Sequence, residues 1–483
     1  MSRLASTLTA AGGFAVAVAV AVAGPPARTA LSVAPTPAPR PGTPWSAPAV
    51  LSACPARLPA RVAFPSDGPS RATGAGAIVW SAASGCPGGE GARVAAIGAG
   101  DVPGASAIPR TAAGLPIAPR GPLVASGAPH GQIVIAGSSP GAPADGLLIQ
   151  GAAGGPFSAL QPPEGSTAPM ALATAYLGDV ALASPPAPSP ASPTAGGGAD
   201  RPAAGIDVHV ERFFAHDFVR NAAAGAAGAG PVQALTLAID YRSEALAVWA
   251  QGGAIYARLV PQTGAARPLQ RLAPVGSHPA IAALLSDDRR AIVAWADQHG
   301  SETAVYIDRS AIGVRFGAPQ LLERFRDPDG LPSPAASPSL VRLSSEGVML
   351  AWAGSAAGHW VVRTAPVDLN GVGAPSTIAA PGGDALLADL AAGPADDALV
   401  LWTEPLPTAA GLPDMERQAI FAARGFDAHP PRTMFGEPER IAPPAPVGDA
   451  TVALDPGSDR AVAVWRGEAG AIEYSIRSSG KSP

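Results

Sequence analysis

Side chains that can transfer protons or hold a charged ligand are concentrated in a few polar stretches of the second half of this sequence. Residues 297–302 read Asp-Gln-His-Gly-Ser-Glu, which places a histidine between two carboxylates. Residues 323–330 carry two arginines and two aspartates among their charges. Imidazole and carboxylate groups transfer protons near neutral pH, and paired guanidinium groups can hold a carboxylate. The predicted ligand-binding residues are Asp297, His299, Glu302, Arg324, Arg326, Asp327, Asp329 and Glu404.

Each of these stretches also has a structural explanation that needs no ligand. A histidine among polar residues is commonly a solvated loop residue, and neighbouring arginines often only solvate a loop. The run Asp327-Pro328-Asp329-Gly330 lacks the spaced oxygen ligands of a dedicated calcium loop, so a plain turn is favoured. The sequence contains no nucleophile elbow, zinc-binding helix motif, phosphate loop or paired-cysteine metal motif. We therefore predict no catalytic residue, metal site or cofactor.

The composition indicates the class of fold that must position these residues. The chain of 483 residues has 57 Gly and 56 Pro, only 14% charged residues and a net charge of -5. Frequent Gly and Pro exclude long helices, their lack of a three-residue period excludes collagen, and the low charge argues against charge-rich disorder. A near-neutral chain also lacks the basic character of a nucleic-acid-binding protein. A turn-rich, all-β protein remains.

The first residues predict export from the cytoplasm. Arg3 precedes an apolar core at Phe14–Ala23, which ends in the small residues Ala21-Val22-Ala23. This pattern is typical of a cleaved signal peptide over residues 1–23, followed by a Pro-rich linker over 24–43. An uncleaved membrane anchor is the alternative. The prediction is a secreted or extracytoplasmic protein, with attachment to the cell surface left open and no membrane span after cleavage.

Five segments share one pattern, in which an apolar strand, a polar turn and a second apolar strand end at a tryptophan. A third short strand follows each of them, and in three copies a predicted fourth strand of the type aromatic-Gly-x-Pro comes next, as in Phe316–Pro319. Apolar runs around turn residues are typical of β-hairpins. The five segments are Ala234–Trp249, Ala280–Trp295, Ser339–Trp352, Ala385–Trp402 and Ala450–Trp465.

Units of four antiparallel strands, repeated along the chain, predict a β-propeller. Three weaker hairpins in the first half, at Arg61–Trp80, Gln132–Gly137 and Met170–Ser184, bring the total to eight blades, with seven as the alternative. The predicted propeller covers residues 44–480. A Pro/Ala/Gly-rich insertion at 185–204 interrupts it.

The two ends of the predicted propeller complement each other. The last unit lacks a fourth strand, and Trp45–Leu51 is an unpaired copy of such a strand. We therefore predict that the N-terminal strand completes the last blade and closes the ring.

Cys54 and Cys86 fall in loops that open on the same end of the ring near this closure, so a disulfide between them is a reasonable prediction.

The blade pattern resembles that of the sialidase-like propellers, whose Asp-box turn reads Ser-x-Asp-x-Gly-x-Thr-Trp. The matching stretches, Ser310–Phe316 and Gly42–Trp45, keep a glycine and the aromatic residue but lack the aspartate. The resemblance covers residues 232–477 well and 90–230 weakly. It implies a propeller, but sialidases are six-bladed enzymes, and neither their arginine triad nor their Tyr/Glu pair can be carried over to this sequence.

Two functions follow from these predictions. The first is a non-catalytic, monomeric propeller that binds a glycan or a protein of the cell envelope, and not nucleic acid, through the loops after each tryptophan. The alternative is a sialidase-like glycoside hydrolase in which Glu302, Asp327 or Glu404 supply the acid and the nucleophile. The enzyme requires two carboxylates and an arginine that converge on the central pocket. The sequence leaves catalytic activity open.

Overall fold

Short apolar runs between Gly, Pro and Asp turns form 33 β-strands among the described residues of the computed structural model, and a 3-10 turn lies at Glu468–Gly470. No helix of the described residues is long and apolar enough to cross a membrane. The predicted signal peptide, the linker, the 185–204 insertion and Asp329 lie outside the described residues. The structure describes residues 44–56, 60–65, 75–98, 102–140, 145–160, 171–175, 178–184, 206–212, 217–223, 230–311, 315–328, 337–343, 347–368, 371–378, 383–393, 396–408, 413–426, 434–458 and 460–478.

The strands form eight antiparallel sheets, which confirms the predicted eight-bladed propeller and excludes seven blades. Each sheet is one blade. The blades of the first half are blade 1 with β2 (Arg61–Ala63), β3 (Gly76–Ala82) and β4 (Gly91–Ile97); blade 2 with β5 (Arg120–Ala128), β6 (Gln132–Ser138), β7 (Gly146–Ala152) and β8 (Phe157–Leu160); blade 3 with β9 (Ala171–Thr174), β10 (Val180–Ser184), β11 (Asp207–Arg212) and β12 (Asp217–Ala223); and blade 4 with β13 (Val232–Ile239), β14 (Ala245–Gln251), β15 (Ala254–Val260) and β16 (Gln270–Pro274).

The blades of the second half contain four of the five tryptophan hairpins, and the fifth hairpin is in blade 4. They are blade 5 with β17 (Ser277–Leu285), β18 (Ala291–His299), β19 (Glu302–Ala311), β20 (Arg315–Phe316) and β21 (Gln320–Arg326); blade 6 with β22 (Ser339–Arg342), β23 (Val348–Ala356), β24 (His359–Val367) and β25 (Ser376–Thr377); blade 7 with β26 (Leu386–Ala392), β27 (Ala398–Pro407), β28 (Pro413–Phe426), β29 (Met434–Phe435) and β30 (Glu439–Ala445); and blade 8 with β31 (Gly448–Leu454), β32 (Ala461–Arg466), β33 (Ile472–Arg477) and β1 (Ala49–Ser52).

The first strand of each blade lies on the inside of a closed ring. Each of these strands contacts the first strand of the next blade, and β31 of blade 8 contacts β2 of blade 1. The strands of a blade then follow outward in chain order, except that the outermost strand of blade 8 is β1. The connections between first and second strands therefore lie at one end of the ring, which we call the turn face. The connections between second and third strands and those between blades lie at the other end, the loop face.

The N-terminal strand closes the ring as the sequence predicts. β1 pairs with β33, and Trp45 forms an isolated bridge to Arg477 just before it. On the turn face, Arg460 of blade 8 binds the carbonyl of Gly98, and its guanidinium lies 5.5 Å from the ring centroid of Phe64. The chain segment that completes blade 8 thus leads directly into blade 1, and the inner strands of the two blades are in contact, so the ring is closed.

The tryptophans are core residues, as the hairpin pattern indicates. Each second-strand tryptophan is fully buried and packs on the apolar side chains of the preceding blade. Such a large buried ring provides much of the contact between two blades. The pairs are Trp80 on blade 8, Trp249 on blade 3, Trp295 on blade 4, Trp352 on blade 5, Trp402 on blade 6 and Trp465 on blade 7.

The aromatic-Gly-x-Pro stretch is not itself the fourth strand, which corrects the sequence prediction. Phe316, Phe435, Val372 and Trp45 each pair with the end of a third strand, and the fourth strand begins only after the proline. The interruption has a physical cause, because proline has no N–H to donate to the ladder. In blade 1 the described part of the segment in the fourth position forms an isolated bridge, Val94 to Ala107, and Gly104 N–H donates to the Ala96 carbonyl at 2.8 Å.

The predicted disulfide is present and spans the ring closure. Cys54 follows β1 of blade 8, and Cys86 follows β3 of blade 1, with 5.7 Å between their Cα atoms. The backbone around it is also bonded, since Ala83 N–H donates to the Pro55 carbonyl at 3.0 Å. Beyond the disulfide, Arg93 of β4 donates to the carbonyls of Pro87 and Gly89 at 2.9 and 2.7 Å. The covalent bond therefore connects the last blade to the first.

Replacing both cysteines, as Cys54→Ser with Cys86→Ser, is expected to lower the free energy of unfolding. The disulfide closes a loop of 32 residues in sequence separation, and its loss increases the entropy of the unfolded chain, at a cost of about 3–4 kcal/mol. Urea unfolding followed by tryptophan fluorescence measures the change. A reductant should lower the midpoint of the wild type and leave that of the double variant unchanged. Equal midpoints for the two proteins under oxidising conditions would contradict this prediction.

Candidate functional site

A cavity of about 330 Å³ opens at the turn face, at the ends of the inner strands. Inner strands of five consecutive blades contribute to its wall, from blade 2 to blade 6. We call this cavity the axial pocket. Its lining combines apolar strand ends with a few polar groups, which is the usual character of a small-molecule site. The polar and aromatic lining residues are Thr174, Asp240, Tyr241, Asp287 and Arg342.

Asp287 connects three blades around the axial pocket. It lies in the turn of blade 5, where its Oδ1 accepts the backbone N–H of Tyr241 from blade 4 at 3.3 Å. Its Oδ2 lies 2.8 Å from Nη1 of Arg342, at the end of the inner strand of blade 6. The side chains of Asp287 and Arg342 keep 30% and 35% of their surface accessible. The ion pair is therefore fixed in position and still within reach of a ligand.

Tyr241 is held by the tight turn between the first two strands of blade 4. Asp240 Oδ1 accepts the backbone N–H groups of Arg242 and Glu244, both at 2.9 Å, and this bonding fixes the turn. Ser243 completes the turn with a positive φ of 62°. Arg242 donates from Nε to the Tyr241 hydroxyl at 2.7 Å, and its guanidinium carbon lies 5.0 Å from the ring centroid. The phenol ring is thus positioned at the pocket by its own turn.

Asp240 has an unusual environment for a carboxylate. The residue is buried, with 1% of its surface accessible, and its Oδ2 has no hydrogen-bond partner among the described residues. Burial raises the pKa of the Asp240 carboxyl, and the nearby carboxylates of Glu244 and Asp287 raise the pKa further, against the lowering effect of the two backbone N–H donors. The axial pocket therefore brings together two carboxyl groups of different character and one guanidinium group.

The raised pKa of Asp240 predicts a pH-dependent effect of Asp240→Asn on stability. In the wild type the folded state holds the proton at pH values where the unfolded chain has lost it, so the Asp240 contribution to stability falls as pH rises through the folded pKa. The asparagine side chain of the variant does not titrate. We expect the free energy of unfolding of the variant, relative to the wild type, to increase between about pH 3, below the ordinary pKa of aspartate, and about pH 7. Urea unfolding at both pH values measures this difference, and a change in the opposite direction would contradict the prediction.

Six of the sequence-predicted site residues lie together on blade 5, most of them at the loop face. Asp297 is buried, and its Oδ1 accepts the N–H of Gly276 at 2.6 Å while its Oδ2 lies 2.8 Å from Nε2 of His299. The imidazole itself is exposed, with 67% of its side-chain surface accessible. Gly276 is required at this point, because a Cβ there would lie 2.4 Å from the Gln298 carbonyl oxygen. Asp297 thus orients an exposed histidine.

The remaining residues of this group surround the turn after His299. Glu302 is exposed and lies opposite both His299 and Arg326 in the strand register. Asp327 Oδ2 accepts from Gln298 Nε2 at 2.8 Å, and Arg324 donates to the Tyr306 hydroxyl at 3.3 Å. No group of three or more His, Cys, Asp and Glu residues in the described part of the chain is arranged to hold a metal ion. The ligand-binding role of these residues stays a prediction.

Glu404 lies apart from the others, on blade 7. Its Oε1 accepts the indole N–H of Trp402 at 2.9 Å. Glu473 accepts the indole N–H of Trp465 in the same way, and Glu323 accepts that of Trp352, each at 2.8 Å. The repetition in several blades indicates that Glu404 satisfies a buried indole donor, as buried polar groups require. It is not brought together with the carboxylates of blade 5.

The sequence interpretation missed the axial pocket residues. An aspartate recurs in the turns between first and second strands, at Asp179, Asp240, Asp287, Asp397 and Asp455. This repetition was a usable signal, but aspartate is also the ordinary residue of such turns. The prediction placed the ligand at the loop face, whereas the cavity with converging charged groups described above opens on the turn face.

A second cavity of about 440 Å³ lies at the outer edge between blades 7 and 8, lined by Pro44–Pro48 and Glu439–Ile441. Its carboxylate is already engaged, because Glu439 Oε1 lies 3.6 Å from Nη2 of the buried Arg477. The Trp45 ring packs on the core of blades 7 and 8. The lining of this cavity comes from two blades, compared with five blades for the axial pocket.

Comparison with known proteins identifies no family for this chain. No protein-family model matches the chain, and no curated protein matches its sequence. An ulvan lyase, a polysaccharide lyase, is similar over 89% of this chain and 96% of its own, with 9% identity and a TM-score of 0.45. A mutant of the Aleuria aurantia lectin bound to α-methyl-L-fucoside is similar over 68% and 99%, with 14% identity and a TM-score of 0.36. The lectin SapL1 bound to α-methyl fucoside is similar over 68% of this chain and 98% of its own, with 9% identity and a TM-score of 0.37.

The sialidase-like superfamily of the sequence resemblance is not confirmed. At these values the similarities establish neither a family nor a function, and the sheet order alone identifies the chain as an eight-bladed β-propeller.

Proposed function

We propose that the protein is a glycan-binding propeller and that the axial pocket holds a sugar residue of the glycan. The observation that carries the proposal is the accessible Asp287–Arg342 pair beside Tyr241, with groups from three blades fixed around one cavity. A carboxylate accepts hydrogen bonds and a guanidinium donates them. Sugar hydroxyls do both, so this pair complements two neighbouring hydroxyls.

The remaining lining fits the same class of ligand. An aromatic ring provides an apolar surface for the C–H face of a sugar, and Tyr241 is the aromatic residue of the lining. The Thr174 hydroxyl donates to the carbonyl of Gly127 at 2.5 Å and accepts from the Ser126 hydroxyl at 2.7 Å, so one acceptor position of its oxygen is left for a ligand hydroxyl. The volume of about 330 Å³ lies at the lower end of the range for ligand pockets. It suits a small group, such as the end of a glycan chain, better than a peptide.

The test is a binding screen of purified protein against an array of neutral, amino and acidic oligosaccharides, followed by calorimetry on the tightest binder. Asp287→Asn retains an oxygen that can accept from Tyr241 N–H but loses the charge that pairs with Arg342. We expect this variant to bind about tenfold to a hundredfold more weakly, since a hydrogen bond to a charged group contributes roughly 1.5–3 kcal/mol. Glu302→Gln makes the same chemical change at the loop face of blade 5 and serves as the matched control.

The two variants distinguish the two faces of the ring. Weaker binding by Asp287→Asn together with unchanged binding by Glu302→Gln supports the axial pocket. The reverse result would place the ligand among the loop-face residues that the sequence predicts. Binding that neither variant weakens would exclude both sites.

A glycoside hydrolase is the second candidate function, and one observation favours it. Two carboxyl groups and an arginine line the axial pocket, which is the arrangement that such an enzyme needs. Asp240, whose carboxyl pKa is raised by burial, would act as the acid, and Asp287, paired with Arg342, would act as the carboxylate. Hydrolysis of a panel of fluorogenic glycosides tests this candidate. If the protein is a glycoside hydrolase, the wild type should hydrolyse at least one glycoside of the panel. The Asp240→Asn variant should still bind that glycoside but no longer hydrolyse it.

We also propose that the protein acts outside the cytoplasm. The Cys54–Cys86 disulfide supports this proposal, because structural disulfides persist in oxidising compartments. Signal cleavage would give a mature protein that begins after residue 23. Sequencing the N-terminus of the protein recovered from the culture medium and from the cell envelope tests both export and attachment.

A further inference from the structure

We propose that the sugar residue in the axial pocket is a hexosamine, whose free and protonated amine stands next to a hydroxyl group. This inference rests on the proposed function of the pocket and specifies the chemical class of its ligand. Two carboxylates, those of Asp240 and Asp287, line the pocket together with the guanidinium of Arg342. Which of these charges the protein itself neutralises decides the charge that a ligand must bring.

The second carboxylate oxygen of Asp240 is buried without a hydrogen-bond donor. Its Oδ1 accepts from two N–H groups of the turn, but its Oδ2 has no partner among the described residues, and only 1% of the residue surface is accessible. A buried polar atom without a partner is costly, and native proteins usually satisfy it with water, an ion or a ligand. Because Asp240 lines the axial pocket, a ligand there comes within reach of its charge.

The equivalent turn of blade 8 shows how the protein itself can satisfy this position. Asp455 N–H donates to the Arg460 carbonyl at 2.9 Å, as Asp240 N–H donates to the Glu244 carbonyl at 3.1 Å, so the two turns correspond. Asp455 Oδ2 accepts from Ser458 Oγ at 3.0 Å and from Arg460 Nη2 at 3.2 Å. Blade 4 has the acid Glu244 where blade 8 has Arg460. The internal donor is therefore replaced by a second carboxylate.

The guanidinium groups nearest to these acids are bound to other carboxylates. Arg289 Nε lies 2.8 Å from Glu244 Oε2, and Arg342 Nη1 lies 2.8 Å from Asp287 Oδ2. Burial raises the pKa of the Asp240 carboxyl, and the charges of Glu244 and Asp287 raise it further, so the electrostatic environment of Asp240 is negative. A positively charged ligand group would relieve this repulsion.

The positions of the two lining carboxylates suit an amine beside a hydroxyl. Tyr241 follows Asp240 in the chain, and its N–H donates to Asp287 Oδ1 at 3.3 Å, so the two acids are held next to each other. The side chain of Asp287 is 30% accessible and can bind the ammonium group directly, while Asp240 adds a second negative charge from behind. Arg342, at the other side of Asp287, can donate to the oxygen of the neighbouring hydroxyl.

An acidic sugar fits this arrangement less well. Its carboxylate could bind Arg342, but it would then stand beside Asp287 and Asp240, and like charges placed together weaken binding. Arg242, the other cation of the blade 4 turn, is exposed and donates to the Tyr241 hydroxyl. It therefore offers little compensation to a second anion inside the pocket.

Titration of the folded protein with methyl glycosides that differ in one substituent tests the inference. The probes are the methyl glycosides of glucosamine, N-acetylglucosamine and glucose, and the matching galactose series, in a buffer that keeps the amine protonated. We expect the amine form of one series to bind at least about tenfold more tightly than its hydroxyl form, because it makes a charge-assisted hydrogen bond. The N-acetyl form, which is uncharged, should show no such gain. Calorimetry measures the three affinities.

Two aspartate variants locate the amine. Asp240→Asn keeps an oxygen for the N–H groups of the turn and removes the charge, so it should bind the amine form roughly tenfold more weakly and the hydroxyl form like the wild type. Asp288→Asn is the matched control, because Asp288 lies in the turn of blade 5, is 46% accessible and pairs with Arg290. It should bind both forms like the wild type. Urea unfolding confirms that the variants are folded under these conditions.

The outcomes separate this inference from the proposed function. If the hydroxyl form binds as tightly as the amine form and Asp287→Asn weakens both, the inference is wrong and the glycan site stands. If Asp240→Asn and Asp288→Asn weaken the amine form equally, the preference is only a general attraction to a chain of net charge -5, and the inference is again wrong. If no saccharide binds, the proposed function and the inference fail together.

Discussion

A chain that begins at Cys54 should be less stable than one that begins at Pro44 by about 5 kcal/mol. The shorter chain lacks Trp45 and β1, which form the outer strand of blade 8. It loses the ladder between β1 and β33, and the packing of Leu51 and of the Trp45 ring. The hydrogen-bonding edge of β33 would also become free, and such edges pair with other chains. We therefore expect both a lower stability and a tendency to dimerise.

Urea unfolding and size-exclusion chromatography with light scattering measure these two effects on residues 44–483 and 54–483. A synthetic peptide of residues 44–53 should bind the shorter chain and return it to a monomer, because it supplies the missing strand. Val50→Thr is the control for substitutions within β1, since the Val50 side chain is 60% exposed and contributes little packing. Equal stability of the two chains, with no effect of the peptide, would show that the N-terminal strand does not close the ring.

Trp80→Ala is the second substitution with a large expected effect. The Trp80 ring is fully buried in the junction between blade 1 and blade 8, where it meets Val462, Val464 and Ile476. Truncating a buried tryptophan costs about 3–5 kcal/mol, because the apolar contacts are lost and a cavity remains. This junction is the one at which the ring closes, so the loss weakens the closure itself. Urea unfolding followed by circular dichroism measures the loss.

Trp80→Phe provides the comparison for this prediction. Phenylalanine retains an apolar ring at the same place, and Trp80 Nε1 has no hydrogen-bond partner among the described residues, so little polar bonding is lost. Trp80→Phe should lower the free energy of unfolding by less than half as much as Trp80→Ala does. A Trp80→Ala protein with wild-type stability would contradict the assignment of this residue to the junction.

The blades could be predicted from the sequence because their signals are local. A hairpin such as Ala280–Trp295 shows its two apolar runs and its turn within one short segment, and the tryptophan marks the same position in each copy. Ring closure was also predictable, because blade 8 is one strand short and Trp45–Leu51 matches the missing strand. The structure confirms both predictions.

The axial pocket could not be predicted in the same way. Tyr241, Asp287 and Arg342 lie far apart in the sequence, and each occupies a turn or a strand end with its own structural role. Their convergence depends on the ring radius and on the register of three inner strands. Glu404 shows the opposite difficulty, because an isolated acid after a tryptophan resembles a loop-face ligand until its bond to Trp402 is seen. Local patterns determine the blades, whereas the site arises from contacts between blades.

Hydrogen exchange with and without the saccharide that binds most tightly in the screen tests the axial pocket most directly. The central claim is that a sugar residue occupies the turn face next to Asp287 and Arg342. We predict slower exchange for the segments around Ile239–Glu244 and Leu285–Arg290 when the saccharide is bound, and no change at residues 297–303 and 323–328. Protection of residues 297–303 and 323–328, with unchanged exchange around Ile239–Glu244 and Leu285–Arg290, would contradict it.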